Sequence, residues 1–206
     1  MNHKIIAKSN FVLRRVLNKE ENLDIIKDFI EAVLNVRIIG INLRKYPENK
    51  YKFLPSEDNF GIANVIIRKD DLSTLNIGIQ ILDGNYIQNK ILLYYAQIHT
   101  NQLEEEKKEI TTTVTINILH FNYFNNIKYH QILKIKEKNE ENEIEIHILE
   151  LPKFSNKNII ENKKDAWIAY LQGGNEVLVN YAIDKFIKIQ KLDRLLDEYW
   201  KNEKME

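Results

Sequence analysis

The sequence predicts an α/β fold, a central mixed sheet flanked by helices, with further helices at the C-terminal end. Three observations predict it. Apolar residues recur at intervals of three and four over 21–35, 86–103 and 175–200, which is the helical period. Two β-branched runs, 60–69 and 75–82, are joined through Lys69-Asp70-Asp71-Leu72-Ser73-Thr74, the spacing of a β-hairpin. Residues 143–150 alternate strictly, Ile144, Ile146 and Ile148 on one side and Glu145 and His147 on the other. A sheet between helical layers buries such stripes and faces together.

Each element has its own signal. Residues 5–17 cluster Ile5, Ile6, Phe11, Val12, Leu13, Val16 and Leu17 as one amphipathic helix. Residues 21–35 give a second, through Leu23, Ile25, Ile26, Phe29, Ile30, Val33 and Leu34. Residues 37–43 read as a strand entering the core, and Asp83-Gly84 ends the hairpin. The helix at 86–103, carried by Ile87, Ile91, Leu92, Tyr95, Ile98 and Leu103, crosses over to a strand at 111–121, with right-handed chirality expected. Strands follow at 129–136 and 143–150. Helices at 164–171 and 175–200 close the chain, the latter with a stripe from Leu178 to Tyr199. Gly173-Gly174 between them has the chemistry of a helix C-cap. The expected division is 1–155 for the sheet-bearing unit and 156–206 for a helical extension packed on it.

Composition narrows the function. The chain has 206 residues, of which 44% are hydrophobic, ample for a folded core. Lys plus Arg and Asp plus Glu are each 30, so the net charge is zero. That balance argues against a generic polyanion binder held by long-range attraction, though it permits a local basic groove. Absence of cysteine removes disulfides, thiolate-bound zinc, iron–sulfur clusters and thiol nucleophiles. No apolar run approaches the roughly 18 residues of a membrane span, and Met1 to Arg15 lacks an apolar secretory core. The expected location is the cytoplasm.

Single-residue candidates are sparse. His3, His99, His120, His130 and His147 show no metal-ligand spacing, and His147 reads as a surface histidine on a polar strand face. Phosphate loops, nucleophile elbows and dinucleotide fingerprints are absent. Lys134, Lys136 and Lys138 alternate on one strand face. With Arg14, Arg15, Arg37, Arg44 and Lys45 they are the candidates for phosphate contact. Tyr94, Tyr95, Phe121, Tyr123 and Phe124 read as core before they read as base-stacking platforms.

Several segments in order carry a resemblance: Asn10 to Val16 with Glu20-Glu21-Asn22, then Asn64 to Gln80, Leu93-Tyr94-Tyr95, Ile116 to Phe121, Tyr129-His130, and His147 to Phe154. Over about three quarters of its length, Phe11 to Phe154, the chain resembles the PD-(D/E)XK nuclease family transposases, also called Rpn-type recombination-promoting nucleases. The Glu150-Leu151-Pro152-Lys153-Phe154 ending is the most distinctive piece. The resemblance implies a restriction-endonuclease-like sheet whose hairpin carries an acid on its first strand and a carboxylate followed two residues later by Lys or Gln on its second. In that family the carboxylates hold Mg²⁺ through hard oxygen ligands, and the metal activates a water.

Carried over by position, the first-strand acid falls on Asn64, the second-strand carboxylate on Gly78, and the final position on Gln80, the one retained. Two further acids of the family fall on Asn10 and His120. None of the four acidic positions is acidic. A hard dication needs anionic oxygens to offset its dehydration, so no metal and no cofactor is expected. Glu57, Asp58, Asp70, Asp71 and Asp83 read as loop carboxylates in solvated turns rather than a rebuilt site. The resulting expectation is a pseudonuclease that acts by binding. Its partner is a protein, such as a defence or phage nuclease that it inhibits, or nucleic acid; the C-terminal stripe also offers a homodimer contact. The alternative is an active Mg²⁺-dependent DNA endonuclease of the transposase-associated family. A decayed mobile-element remnant is the blandest reading.

Overall fold

A computed structural model of the chain describes residues 10–44, 61–82, 84, 86–100, 102, 111–136 and 143–203, without the side chains of residues 10, 11, 135, 136, 143 and 203. The elements are α1 (Asn10–Leu17), α2 (Leu23–Leu34), β1 (Ile38–Leu43), β2 (Ala63–Lys69), β3 (Thr74–Leu82), α3 (Ile87–Thr100), β4 (Thr112–Leu119), β5 (His130–Lys136), β6 (Glu143–Glu150), α4 (Lys163–Gln172), α5 (Glu176–Lys185) and α6 (Ile187–Glu203). Short 3-10 turns at Glu20–Asn22 and Leu151–Asn156 precede α2 and follow β6.

The six strands form one mixed sheet in the order β1-β2-β3-β4-β6-β5. β1, β2 and β3 are an antiparallel meander. α3 then carries the chain across, so β4 lies parallel to β3 and β6 parallel to β4. β5 returns antiparallel at the edge beside β6. This is the α/β architecture of a restriction-endonuclease-like domain, as expected.

Side chains on successive strand residues point to opposite faces, and the two faces are built differently. Ile77, Ile79 and Ile81 of β3, Val114, Ile116 and Ile118 of β4 and Leu149 of β6 share one core with α1, α2, α4, α5 and α6. Each fully buried Ile or Leu of this face contributes about 2 kcal/mol of apolar transfer. α4 runs through that layer with Asp165 to Leu171 all buried. Asn162 caps its N-terminus by accepting from Asp165 N at 2.9 Å, and Gly173, at φ 65°, ends it in the left-handed conformation expected of that glycine. On the opposite face, α3 covers β3 and β4, and a smaller cluster of Ile87, Ile91, Tyr95, Ile146 and Ile148 fills the β6 side.

Two details differ from the sequence expectation. The C-terminal segment is not one helix over 175–200. It breaks at Phe186 (φ −119°, ψ 101°), and α6 turns to pack on α1 and α2. The apolar stripe continues across the break, so periodicity alone does not reveal it. Lys188 and Lys191 fasten the new direction, each 2.7 Å from Asp24 of α2. His147, read as a surface residue, is only 2% exposed. Its side of β6 faces the helical layer and is walled by β5, not water. The residues at 5–9, 45, 57, 58, 83, 104–109 and 138 lie outside the described residues, as do the readings that fall on them.

Candidate functional site

The hairpin brings the three positions implied by the resemblance together. In the β2–β3 register Asn64 stands directly opposite Gly78, and Gln80 follows two residues on, on the same face of β3. That face continues across β4 in register, Gln80 beside Asn117, giving a polar row of Asn76, Gln80, Thr113, Thr115 and Asn117, all buried.

Every described group in this row is neutral, and the row is knitted together. Gln80 Nε2 donates to Asn117 Oδ1 at 2.6 Å. Asn117 Nδ2 donates to Thr115 Oγ1 and to the His147 carbonyl, each at 3.1 Å. Asn76 Nδ2 donates to the Ile98 carbonyl near the end of α3 at 3.1 Å. Gln102 Nε2 donates to Thr113 Oγ1 at 2.8 Å, and His99 Nδ1 lies 3.2 Å from the same oxygen. Buried amides and hydroxyls paired this way offset most of one another's desolvation without a cation, while Asn76 Oδ1, at the far end of the row from Gln80, is buried without a hydrogen-bond partner.

The space over Gly78 is filled. A Cβ built on Gly78 falls well inside van der Waals contact with Ile98 Cδ1, and 3.0 Å from both Cε1 and the hydroxyl of Tyr94. The Tyr94 hydroxyl lies 3.1 Å from Asn64 Oδ1 and 3.1 Å from the Ile79 carbonyl oxygen. It also presses on Gly61, at φ 68°, where a Cβ would stand 2.6 Å from the Ile79 carbonyl oxygen. Positive φ and this close approach both require glycine there. Tyr94 and Ile98 of α3 therefore occupy the volume that a side chain at position 78 would need. Sequence reading passed over both as ordinary core. The available signal was Gly78 itself, since an isolated glycine inside a strand marks close approach of another element.

These residues do not fit a divalent cation. Asn64 offers one neutral carbonyl already engaged by Tyr94, Gly78 offers no side chain, and Gln80 is bonded to Asn117. Among the described residues no group of three or more His, Asp or Glu is placed to hold a metal ion. Asp71 lies in the hairpin turn, where it accepts from Ser73 N at 2.9 Å and pairs with Lys69 at 2.9 Å. The hydrogen bonds from Ser73 and Lys69 hold its carboxyl down at about 2. Glu150 is buried beside the row, but sits two strands from Gln80 and two residues further along, roughly 10 Å or more by strand spacing.

The remaining candidates are distributed. Arg14 and Arg15 belong to α1, which packs on α2 and α6. Lys134 lies on edge strand β5 and gives its ammonium to Glu145 at 2.9 Å. The Lys136 side chain is outside the described residues. Tyr94 and Tyr95 are buried, whereas Tyr123 and Phe124 are half-buried and meet edge to face at 5.0 Å.

The distinctive Glu150-to-Phe154 segment serves as a latch. Glu150 Oε1 accepts from Tyr123 N and Phe124 N at 2.5 and 3.0 Å, and Oε2 pairs with Lys153 at 2.6 Å. Lys153 also donates to the Phe124 carbonyl at 2.8 Å. Phe154 meets the Tyr129 ring edge to face at 5.5 Å, and Tyr129 donates to buried Asp165 at 2.6 Å. The segment thus pins the loop after β4 and ties β5 to α4.

No curated protein and no solved structure matches the chain. A family model described as PD-(D/E)XK nuclease family transposase matches residues 7–205. With the mixed sheet and the hairpin register in place, that match over nearly the whole length means that the chain belongs to the PD-(D/E)XK nuclease family transposases.

Proposed function

We propose that this protein is a pseudonuclease: a member of the nuclease family that binds a partner and does not cleave phosphodiesters. The observation that carries the reading is the Asn64–Gly78 rung, uncharged and covered by Tyr94 and Ile98. Loss of two metal-holding carboxylates removes both the docking charge and the activated water. Filling the cleft removes the space as well. Family membership by itself favours the alternative, an active Mg²⁺-dependent endonuclease; the residues at the rung do not.

The partner is a protein, such as a nuclease that this chain inhibits, ahead of nucleic acid. Zero net charge supplies no long-range pull on a polyanion. Val177 and Tyr181 on α5 and Ile187 on α6 are exposed apolar side chains, which supports a protein contact through the C-terminal helices, a second copy included. Among the described residues no helix is long and apolar enough to cross a membrane, and the cytoplasm is the location that suits this role. In this reading residues 1–155 are the nuclease-like unit and 156–206 the helical extension packed on it.

The test is a Mg²⁺ and Mn²⁺ titration with supercoiled plasmid and with RNA. No cleavage is expected for the native chain, and none for Asn64→Asp with Gly78→Glu, because Tyr94 and Ile98 still fill the cleft. Metal-dependent cutting that Gln80→Ala abolishes would overturn the proposal. Retention on DNA or RNA with a steep salt slope would move the partner from protein to nucleic acid.

A further inference from the structure

The sheet ends in two edges that differ. At β1 the ladder with β2 shifts between Ile38 and Gly40, and such an irregularity blunts an edge against further pairing. At β5 the ladder with β6 runs from His130 to Lys136 without a shift. Among the described strands none lies beyond β5.

The register fixes which backbone groups of β5 face out. Glu150 N donates to the Tyr129 carbonyl at 2.7 Å, so Tyr129 and Glu150 form a hydrogen-bonded pair. Such pairs recur at every second residue of an antiparallel ladder. Gln131 and Leu133 therefore turn their N–H and C=O toward β6, and Ile132 between them turns both outward. The Ile132 side chain lies on one face of the sheet and is 49% exposed; Leu133 lies on the other and is 44% exposed. An outward amide and carbonyl with apolar side chains on both faces make a template for one more strand.

We propose that β5 pairs antiparallel with β5 of a second copy of this chain, about a two-fold axis at Ile132, joining the two sheets edge to edge. Three observations select a copy over an unrelated strand. The outward groups of Ile132 are self-complementary: across the axis each copy donates its amide to the other's carbonyl, the isologous pattern of a two-fold interface. The register sets Gln131 opposite Leu133 of the copy and His130 opposite Lys134 of the copy. An axis at Lys134 instead would set lysine against lysine, which is unfavourable. Charge also permits the contact. The chain has zero net charge, so two copies do not repel at long range. Lys134, the kind of side chain that guards an edge, is matched by Glu145 at 2.9 Å. This contact leaves Val177 and Tyr181 of α5 exposed for a different protein, and it is independent of whether the hairpin site cleaves.

The experiment is sedimentation velocity of the full chain from about 1 μM to 1 mM, with backbone hydrogen exchange followed at both ends of that range. A concentration-dependent dimer is expected, since one strand per copy makes a contact of the weak class. Exchange at the Ile132 amide is expected to slow as the dimer forms, whereas the Leu133 amide, bonded to β6, exchanges slowly throughout. Ile132→Pro removes an outward N–H and keeps the ladder with β6. It is expected to weaken the dimer at least about tenfold with circular dichroism unchanged. Ile132→Lys keeps the amide but sets two lysines together on the axis, and is expected to weaken the dimer as well. A chain that stays monomeric up to about 1 mM overturns the proposal. So does a dimer whose Ile132 amide exchanges as fast as in the monomer. A dimer lost in Tyr181→Lys but kept in both Ile132 variants overturns it too, by moving the self-contact to α5.

Discussion

Two regions of the sheet, the β2–β3–β4 row under α3 and the β6 side, spend their polar groups in opposite ways. Under α3, where the resemblance implies carboxylates, the described row from Asn64 to Asn117 is amides and hydroxyls, most of them bonded to one another, and Tyr94 and Ile98 lie on the backbone of Gly78. On and beside β6, charge is buried or half-buried: Glu145 with His147 and His130, Glu150 with Lys153, Asp165 with Tyr129 and Lys157. Burying charge is costly unless it is paired, and these groups are paired. The charge absent from the rung is therefore not a general avoidance of buried acids. It is local to the place where an uncompensated carboxylate would need a metal.

Three measurements test that contrast. The largest effect belongs to the charged region at the end of β6. Glu150→Ala leaves Lys153, 6% exposed, without its carboxylate and strips the acceptor from Tyr123 N and Phe124 N. The expected loss is about 3–5 kcal/mol in denaturant unfolding. A loss under about 1 kcal/mol would mean that this pair behaves as a surface salt bridge.

On the neutral side the effect is smaller and steric. Gly78→Ala should cost about 1–3 kcal/mol by overpacking against Ile98 and Tyr94. Adding Ile98→Val should restore part of it, so the two changes are expected to be non-additive in a double-mutant cycle. Simple additivity would show that α3 does not fill the cleft in solution.

The third measurement is pH dependence. Burial, then His147 and Lys164, push the His130 imidazole down to about 3. An unfolded histidine titrates near 6.5, so as pH falls below that value the unfolded chain takes a proton that the folded chain refuses. Stability is expected to fall from there toward pH 3 by up to about 1.4 kcal/mol per pH unit for this one group. Glu145 adds to the loss lower down. The hydrogen bond from His147 outweighs burial and, with Lys134, holds its carboxyl at about 2, so its contribution present above the ordinary carboxylate range is lost as pH falls toward 2. His130→Asn should flatten the upper part of the profile and leave the lower part. An unchanged slope between pH 6 and 4 would place the acid sensitivity elsewhere.

Local pattern carried much of this molecule. The helical stripes of α2 and α3, the hairpin, the strict alternation of β6 and the glycine ending α4 were legible because each follows from one backbone period or one conformational preference. The positions of Asn64, Gly78 and Gln80 came from a resemblance, and their pairing across the hairpin follows from its register. The break at Phe186 was not legible, because the apolar period runs through it unchanged and only the demand to reach α1 and α2 turns the chain. His147 was misread for a related reason: alternation tells which face a residue takes, not what covers that face.

The sequence alone set the order and type of the elements and the neutral residues Asn64, Gly78 and Gln80 on the hairpin, since both are properties of short stretches of chain. Packing between distant segments is what lays Ile98 and Tyr94, 20 and 16 residues beyond Gly78, on that glycine. The same packing joins Glu145, His147, His130 and Lys164 across two strands and a helix. Such contacts depend on how surfaces from distant segments exclude water together, and no local period encodes that.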